Sequence, residues 1–157
     1  EQLFEMRVCT LRQYTQMRNS SVFAFGMVSQ FLREKGLIAV DTKTEHGVTR
    51  KGLIASQDEI WTMDSSRFWL LADYQDQLEK MAKGEIKELN PISYSKEFAR
   101  GFSEGDKGYT DEQRIKIAVR YIEGVQHLLG ARFEPDVRSH RERVVSGMEK
   151  IVSQLAA

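Results

Sequence analysis

Residues 36–59 read GLIAVDTKTEHGVTRKGLIASQDE, and whether this stretch forms strand or helix decides the class of fold. Its first five residues are apolar and β-prone, and DTKTEHG then alternates in polarity. After VTRKG a second short apolar run, LIA, leads into SQDE. A period of two, broken by a glycine-containing connection, predicts a β-hairpin. Alternation along a strand puts Asp41, Lys43 and Glu45 on one face and Thr42, Thr44 and His46 on the other. Such an acid–base–acid face is also what an ordinary cross-strand charge ladder presents, at ~0.2–1 kcal/mol per pair. If Glu45 and Asp58 act together, they must leave the same face, which places Lys43 nearly opposite Asp58.

The return strand runs into DEIWTMDSSRFW, residues 58–69, which holds three acids, two serines, an arginine and both tryptophans of the chain. A core strand would not carry so many charges, and a flexible linker would not carry two indoles. Hard divalent cations such as Mg²⁺ take oxygen ligands, commonly one or two carboxylates together with substrate phosphates. A planar guanidinium suits forked recognition of phosphate. Carboxylates, hydroxyls and an arginine converging at the end of a hairpin therefore point to phosphoryl chemistry. Trp61 and Trp69 read as packing residues, since an indole usually buries its body.

Helices are expected on both sides of this segment. From Leu3 to Lys35 apolar residues recur at helical spacing, most clearly Met17, Val22, Phe25, Val28 and Leu32, with Gly36 placed for a left-handed cap. From Ser65 onward, SRFWLLADYQDQLEKMAKG reads as one or two turns followed by an amphipathic helix. ELNPIS is a loop, SYSKEFARGF a short helix and SEGDKGY a second loop. Thr110 and Gln113 form a capping-box signature, Gly130 ends that helix, and Ile115, Ala118, Tyr121, Ile122, Val125 and Leu129 make its core stripe. The final helix sets Val137, Val144, Met148, Ile151 and Leu155 on one side, as core. The expected architecture is α+β: a small antiparallel β-hairpin or sheet element surrounded by helices, one domain over residues 1–157.

Composition narrows the function classes. Twenty-three basic residues balance 23 acidic ones, which argues against a general nucleic-acid binder. No apolar run reaches the ~20 residues that span a bilayer, so no membrane partner is expected. Cys9 is the single cysteine, which rules out an internal disulfide, fits a reducing, cytoplasmic setting, and reads as a small buried hydrophobe. His46, His127 and His140 share no metal-ligand spacing and read as structural or surface residues.

VDTKTEHG from Val40, DEIWTMDSSRFW, SYSKEFAR from Ser93 and YIEGVQHLLGARF from Tyr121 together resemble the consecutive motifs of the SAICAR synthetase family of purine biosynthesis. The likeness runs in order from about Met17 to Phe133. It implies the carboxy-terminal lobe of a SAICAR-synthetase-like, ATP-grasp-related fold, without the amino-terminal ATP-clamping lobe. It also implies an ATP-dependent ligase, with ATP and Mg²⁺ as cofactors and carboxyaminoimidazole ribonucleotide and aspartate as substrates. Glu45 and Asp58 match the family's metal-binding carboxylates. Lys43 would neutralise phosphate or substrate carboxylate, and Asp64 would orient substrate or its metal shell; these are the catalytic candidates. Arg67 matches the arginine that holds the ribonucleotide phosphate, with Ser66 beside it, and Lys96 and Arg100 would line the nucleotide or amino-acid side.

The sequence departs from the family pattern at Met63, where a proline is usual, and at His46, where a phenylalanine is. Ser95 replaces an aspartate, and Gly101–Phe102 replaces Asp–Trp. On this reading the chain folds without turning over, and the apolar face that the missing lobe would cover promotes homo-oligomers. The alternatives are a non-catalytic nucleotide-binding or regulatory relative, and a helical interaction domain.

Overall fold

The computed structural model describes residues 6, 8–103, 105 and 107–156. Helix α1 spans Leu11–Glu34 and opens on a capping box in which the Gln13 backbone N–H donates to Thr10 Oγ1 at 3.2 Å. It stops where Gly36 takes a left-handed φ of 72°, a conformation that costs glycine little. The expectation that helix begins as early as Leu3 falls on residues outside those described. Beyond Gly36 come strands β1 (Leu37–Thr42), β2 (Glu45–Val48), β3 (Ile54–Gln57) and β4 (Ser66–Leu70), helix α2 (Leu71–Ala82), the two-residue strand β5 (Ser93–Tyr94), and helices α3 (Lys96–Arg100), α4 (Asp111–Leu129) and α5 (His140–Leu155).

The strands form two small antiparallel sheets, β1–β4–β5 and β2–β3, so the α+β architecture expected from the sequence is the one observed. Its internal wiring is different. GLIAV does not pair with LIA; it pairs with SRFWL, from Leu37 opposite Leu70 to Thr42 opposite Ser66. A bulge between Ala39 and Asp41 and the non-strand residues Lys43 and Thr44 carry the chain from one sheet into the other. Only Glu45–Val48 and Ile54–Gln57 make the hairpin. Residues 66–70, expected as helical turns, are a strand because their burial alternates: Ser66 and Phe68 are buried and Arg67 between them is exposed. The hairpin register is also one residue away from that expected. Gln57 lies opposite Glu45, and Asp58 leaves the strand with φ 63°, so alternation does not set its direction.

The buried core is Leu32, Leu37, Met63, Phe68 and Tyr94, flanked by Val28, Trp61, Tyr121, Val125 and Leu128 among others. Phe68 sits between Ala39 and Tyr94 in the sheet register and is the middle of that cluster. Trp61 packs against Phe25 at 5.6 Å between ring centroids, as expected of a packing indole. Helix α4 approaches through Gly124, where an added Cβ would lie 2.4 Å from Met63 Sδ and 3.1 Å from the Tyr94 ring. Its inward stripe is therefore Ile117, Tyr121, Gly124, Val125 and Leu128. Ala118 is exposed, and Ile115 and Leu129, expected in the core, are 64% and 70% exposed. Helix α5 buries none of its residues: Val144, Met148, Ile151 and Leu155 face solvent, as does Val137, which lies before the helix begins. An apolar stripe locates a helix's sticky face but does not say that the surface it fits is present. Cys9 is half-buried rather than a core residue.

The close approach at Gly124 sets up a contrast between two helical glycines. Gly26 in α1 has nothing within 4 Å of an added Cβ, so Gly26→Ala is expected to stabilise by about 0.5–1 kcal/mol through helix propensity. Gly124→Ala should destabilise, because overpacking of about 1–3 kcal/mol outweighs the same gain. Denaturant midpoints moving in opposite directions support this packing; equal upward shifts would contradict it. Phe23, Met27 and Phe31 on α1 and the apolar side of α5 are exposed, and apolar faces left in solvent favour association. Sedimentation velocity should therefore reveal association that grows with concentration, and a strictly monomeric chain would contradict that.

Candidate functional site

The antiparallel pairing of β1 with β4 brings the end of one strand to the start of the other, setting Asp41 opposite Arg67 and Thr42 opposite Ser66. The turn that feeds β4 is tied by its own side chains. Thr62 Oγ1 accepts from the Asp64 and Ser65 backbone N–H groups at 3.2 Å each, and the Thr62 N–H donates to Ser65 Oγ at 3.1 Å. Backbone bonds from Lys43 N–H to the Ser65 carbonyl at 2.8 Å and from Lys96 N–H to the Met63 carbonyl at 3.0 Å fasten the end of β1 and the start of α3 to the same turn. Asp58 and Trp61 on its approach hold left-handed φ values of 63° and 57°, a conformation rare for a bulky residue and often retained where a site needs it.

These ties enclose a cleft of about 710 Å³. Lys43, Asp64, Ser66, Arg67, Lys96 and Arg100, all singled out in the sequence, line it together with Asp41, Thr42, Ser65, Ser95 and Glu97. Glu45 and Asp58 are not among its lining residues. The floor is hydroxylic: Ser65, Ser66 and Ser95 are buried, Ser66 Oγ lies 2.8 Å from Thr42 Oγ1, and Ser95 Oγ lies 3.2 Å from Ser93 Oγ.

Charges occupy the rim in pairs. Arg67 Nε donates to both Asp41 oxygens at 2.9 and 3.0 Å, and Nη2 donates to Oδ2. The guanidinium hydrogen bond holds the Asp41 carboxyl below its ordinary range. Because Asp41 engages the Nε–Nη2 edge, the Nη1 donors are left for an anion. Lys43 Nζ meets Glu45 Oε1 at 2.7 Å, and that bond, with the charges of Asp58 and Glu59 behind it, pushes the ammonium's pKa upward. Arg100 pairs with Glu97 at 2.6 Å. Lys96 has no ion-pair partner among the described residues. Asp64 accepts a hydrogen bond from Tyr121 Oη at 2.5 Å.

Among the described residues, no three His, Cys, Asp or Glu side chains group as a metal-binding set. Glu45 and Asp58 are the pair to consider. Glu45 is the first residue of β2, Asp58 follows the residue opposite it, and both act on the Lys43 ammonium. Two oxygen donors without nitrogen or sulfur suit a hard cation that completes its shell with phosphate and water.

Sequence reasoning placed Asp41 on the charged strand face but did not pair it with Arg67, because that pairing depends on the β1–β4 register. Arg67 pairs with Asp41 and not with Asp64, three residues before it. Tyr121, read as core, also reaches a cleft carboxylate; nothing in the spacing of α4 announces this.

Comparison with known proteins agrees with the fold. The family model described as SAICAR synthetase matches residues 1–113, and the chain belongs to that family. A phosphoribosylaminoimidazole-succinocarboxamide synthase of Albidiferax ferrireducens is 32% identical over 129 residues, covering 74% of this chain and 39% of the relative. One of Bacteroides fragilis is 32% identical over 167 aligned positions, covering 100% of this chain and 50% of the relative. A solved SAICAR synthetase in complex with ADP superposes with a TM-score of 0.56 at 23% identity, over 83% of this chain and 44% of that one. The chain thus spans about half or less of the length of these relatives.

The ion pair across the cleft makes a test with a definite sign. Asp41 has a lowered folded-state pKa, so its contribution is complete above the ordinary carboxylate value of 3.8 and is lost as pH falls through the lowered one. Asp41→Asn should cost about 1 kcal/mol or less at neutral pH, since both partners are half-exposed and screened. The stability curves of the variant and the parent should converge in acid; a gap that widens there would contradict the pairing.

Proposed function

We propose that this chain carries the ribonucleotide side of an ATP-dependent ligase that joins aspartate to carboxyaminoimidazole ribonucleotide, giving SAICAR, ADP and phosphate. The observation that carries the reading is the cleft itself: an arginine braced by Asp41, a floor of buried serine hydroxyls and a lysine with no ion-pair partner among the described residues, on motifs that place the chain in the SAICAR synthetase family. In this reaction the ribonucleotide carboxylate is activated by ATP, most simply as an acyl phosphate, and the aspartate amine displaces phosphate to form the amide.

The residues divide that work by charge. Arg67, through the Nη1 donors that Asp41 leaves open, holds the ribonucleotide phosphate, and Ser66 adds a hydroxyl. Lys43 offsets charge on the phosphate or the reacting carboxylate, at the end of β1 where the turn fixes its backbone. Asp64 accepts from the incoming amine. Lys96 and Arg100 take the anionic side of the nucleotide or amino acid. Mg²⁺, held by Glu45 and Asp58, would supply neutralisation between the triphosphate and the carboxylate. No described helix is long and apolar enough to cross a membrane, and a cytoplasmic setting accords with the single cysteine.

Calorimetric titration tests the assignment at Arg67. Arg67→Lys keeps the charge and loses the fork, so ribonucleotide affinity should fall roughly tenfold or more, the loss of a charge-assisted hydrogen bond, while affinity for ATP–Mg²⁺ changes little. Unchanged ribonucleotide affinity with weakened ATP binding would mean that the two phosphate sites are reversed.

A further inference from the structure

Each carboxylate on the cleft wall except one is matched by a cation. Asp41 faces Arg67, and Glu97 faces Arg100. Asp64 has no cationic partner among the described residues; its side chain is held by the Tyr121 hydroxyl alone, at 2.5 Å. We propose that Tyr121 is a positioning residue, holding one oxygen of Asp64 so that the other is presented, uncompensated, to an amino group entering the cleft.

The surroundings make this bond a rigid one. The backbone N–H of Asp64 is already tied to Thr62 Oγ1 at 3.2 Å, which fixes the main chain but leaves the carboxylate free to rotate. Tyr121 lies one turn before Gly124, the glycine whose missing Cβ lets α4 come down onto Met63, the residue preceding Asp64. That close approach fixes the distance between the phenol and the turn. The phenol is half-buried, and burial, then the bond to Asp64, push its pKa upward, so it remains a donor throughout the neutral range. A neutral donor suits the task. A lysine or arginine there would cancel the charge that an ammonium needs to find, whereas a phenol orients the carboxylate and leaves its charge intact.

The inference rests on the ligase reading, and its test separates the two. Tyrosine labelled with ¹³C at Cζ gives Tyr121 its own resonance, identified by its loss in Tyr121→Phe. Asp64→Asn should shift that resonance; an unchanged resonance overturns the contact itself. With the ribonucleotide present, L-aspartate should also shift it. Tyr121→Phe should weaken L-aspartate binding roughly threefold to tenfold, as expected for one hydrogen bond, and leave ribonucleotide affinity unchanged. A merely structural role predicts a lower melting temperature with both affinities retained or both lost, and that result overturns the proposal. If Asp64→Asn moves the Tyr121 resonance but neither ligand binds the parent chain, the contact stands, and the ligase reading falls together with the positioning role.

Discussion

The pairing of Leu37–Thr42 with Ser66–Leu70 is the constraint on which the rest depends. It buries Leu37 and Phe68 against Leu32 of α1, and the same ladder, continued past the bulge, sets Asp41 against Arg67 and Thr42 against Ser66. Core and cleft are two ends of one strand pair. A slip of one residue would turn Phe68 to solvent and Arg67 inward, so the hydrophobic register that stabilises the domain also fixes the guanidinium. The arginine's place on the strand follows from Phe68 next to it, which is locked in the core, and Asp41 across the ladder holds its side chain.

A second layer of order comes from the turn at residues 62–66. Hydroxyl groups take over the role that regular structure plays elsewhere: Thr62 and Ser65 satisfy each other's backbone donors, while the backbone N–H groups of Lys43 and Lys96 donate to the Ser65 and Met63 carbonyls of the turn. Side chains from β1, β4 and α3 thereby meet around a single loop. Such a loop can present several hydroxyls and charges without burying an unpaired backbone group, which a ligand rich in phosphate and carboxylate oxygens requires. Met63, at a position where the family resemblance leads one to expect proline, makes the turn's contact with α4 by lying under Gly124.

Much of this was legible in the sequence, and the failures have physical causes. The capping box at Thr110 and Gln113, the left-handed Gly130 and the short helix at Lys96 all form as read, since these signals are local. The residues on the cleft wall were legible as motifs. Their mutual geometry was not, because GLIAV and SRFWL are short apolar runs whose partners lie far apart in sequence, and periodicity alone cannot choose between LIA and SRFWL as the strand that pairs with Leu37. The stripe on α4 was misplaced for a related reason. Ile115 and Leu129 fit a helical spacing as well as Ile117 and Leu128 do, and the choice between them is made by Gly124, whose lack of a side chain carries no hydrophobic signal. The apolar side of α5 was read correctly as apolar and wrongly as buried.

Hydrogen–deuterium exchange with and without carboxyaminoimidazole ribonucleotide tests most directly that this strand pair and its turn form a phosphate-binding cleft. The account predicts that the ribonucleotide slows exchange in peptides covering residues 41–43, 62–67 and 95–100 and leaves α5 and the β2–β3 turn unaffected. Protection confined to other parts of the chain, or none at a ribonucleotide concentration that saturates binding measured independently, would contradict it.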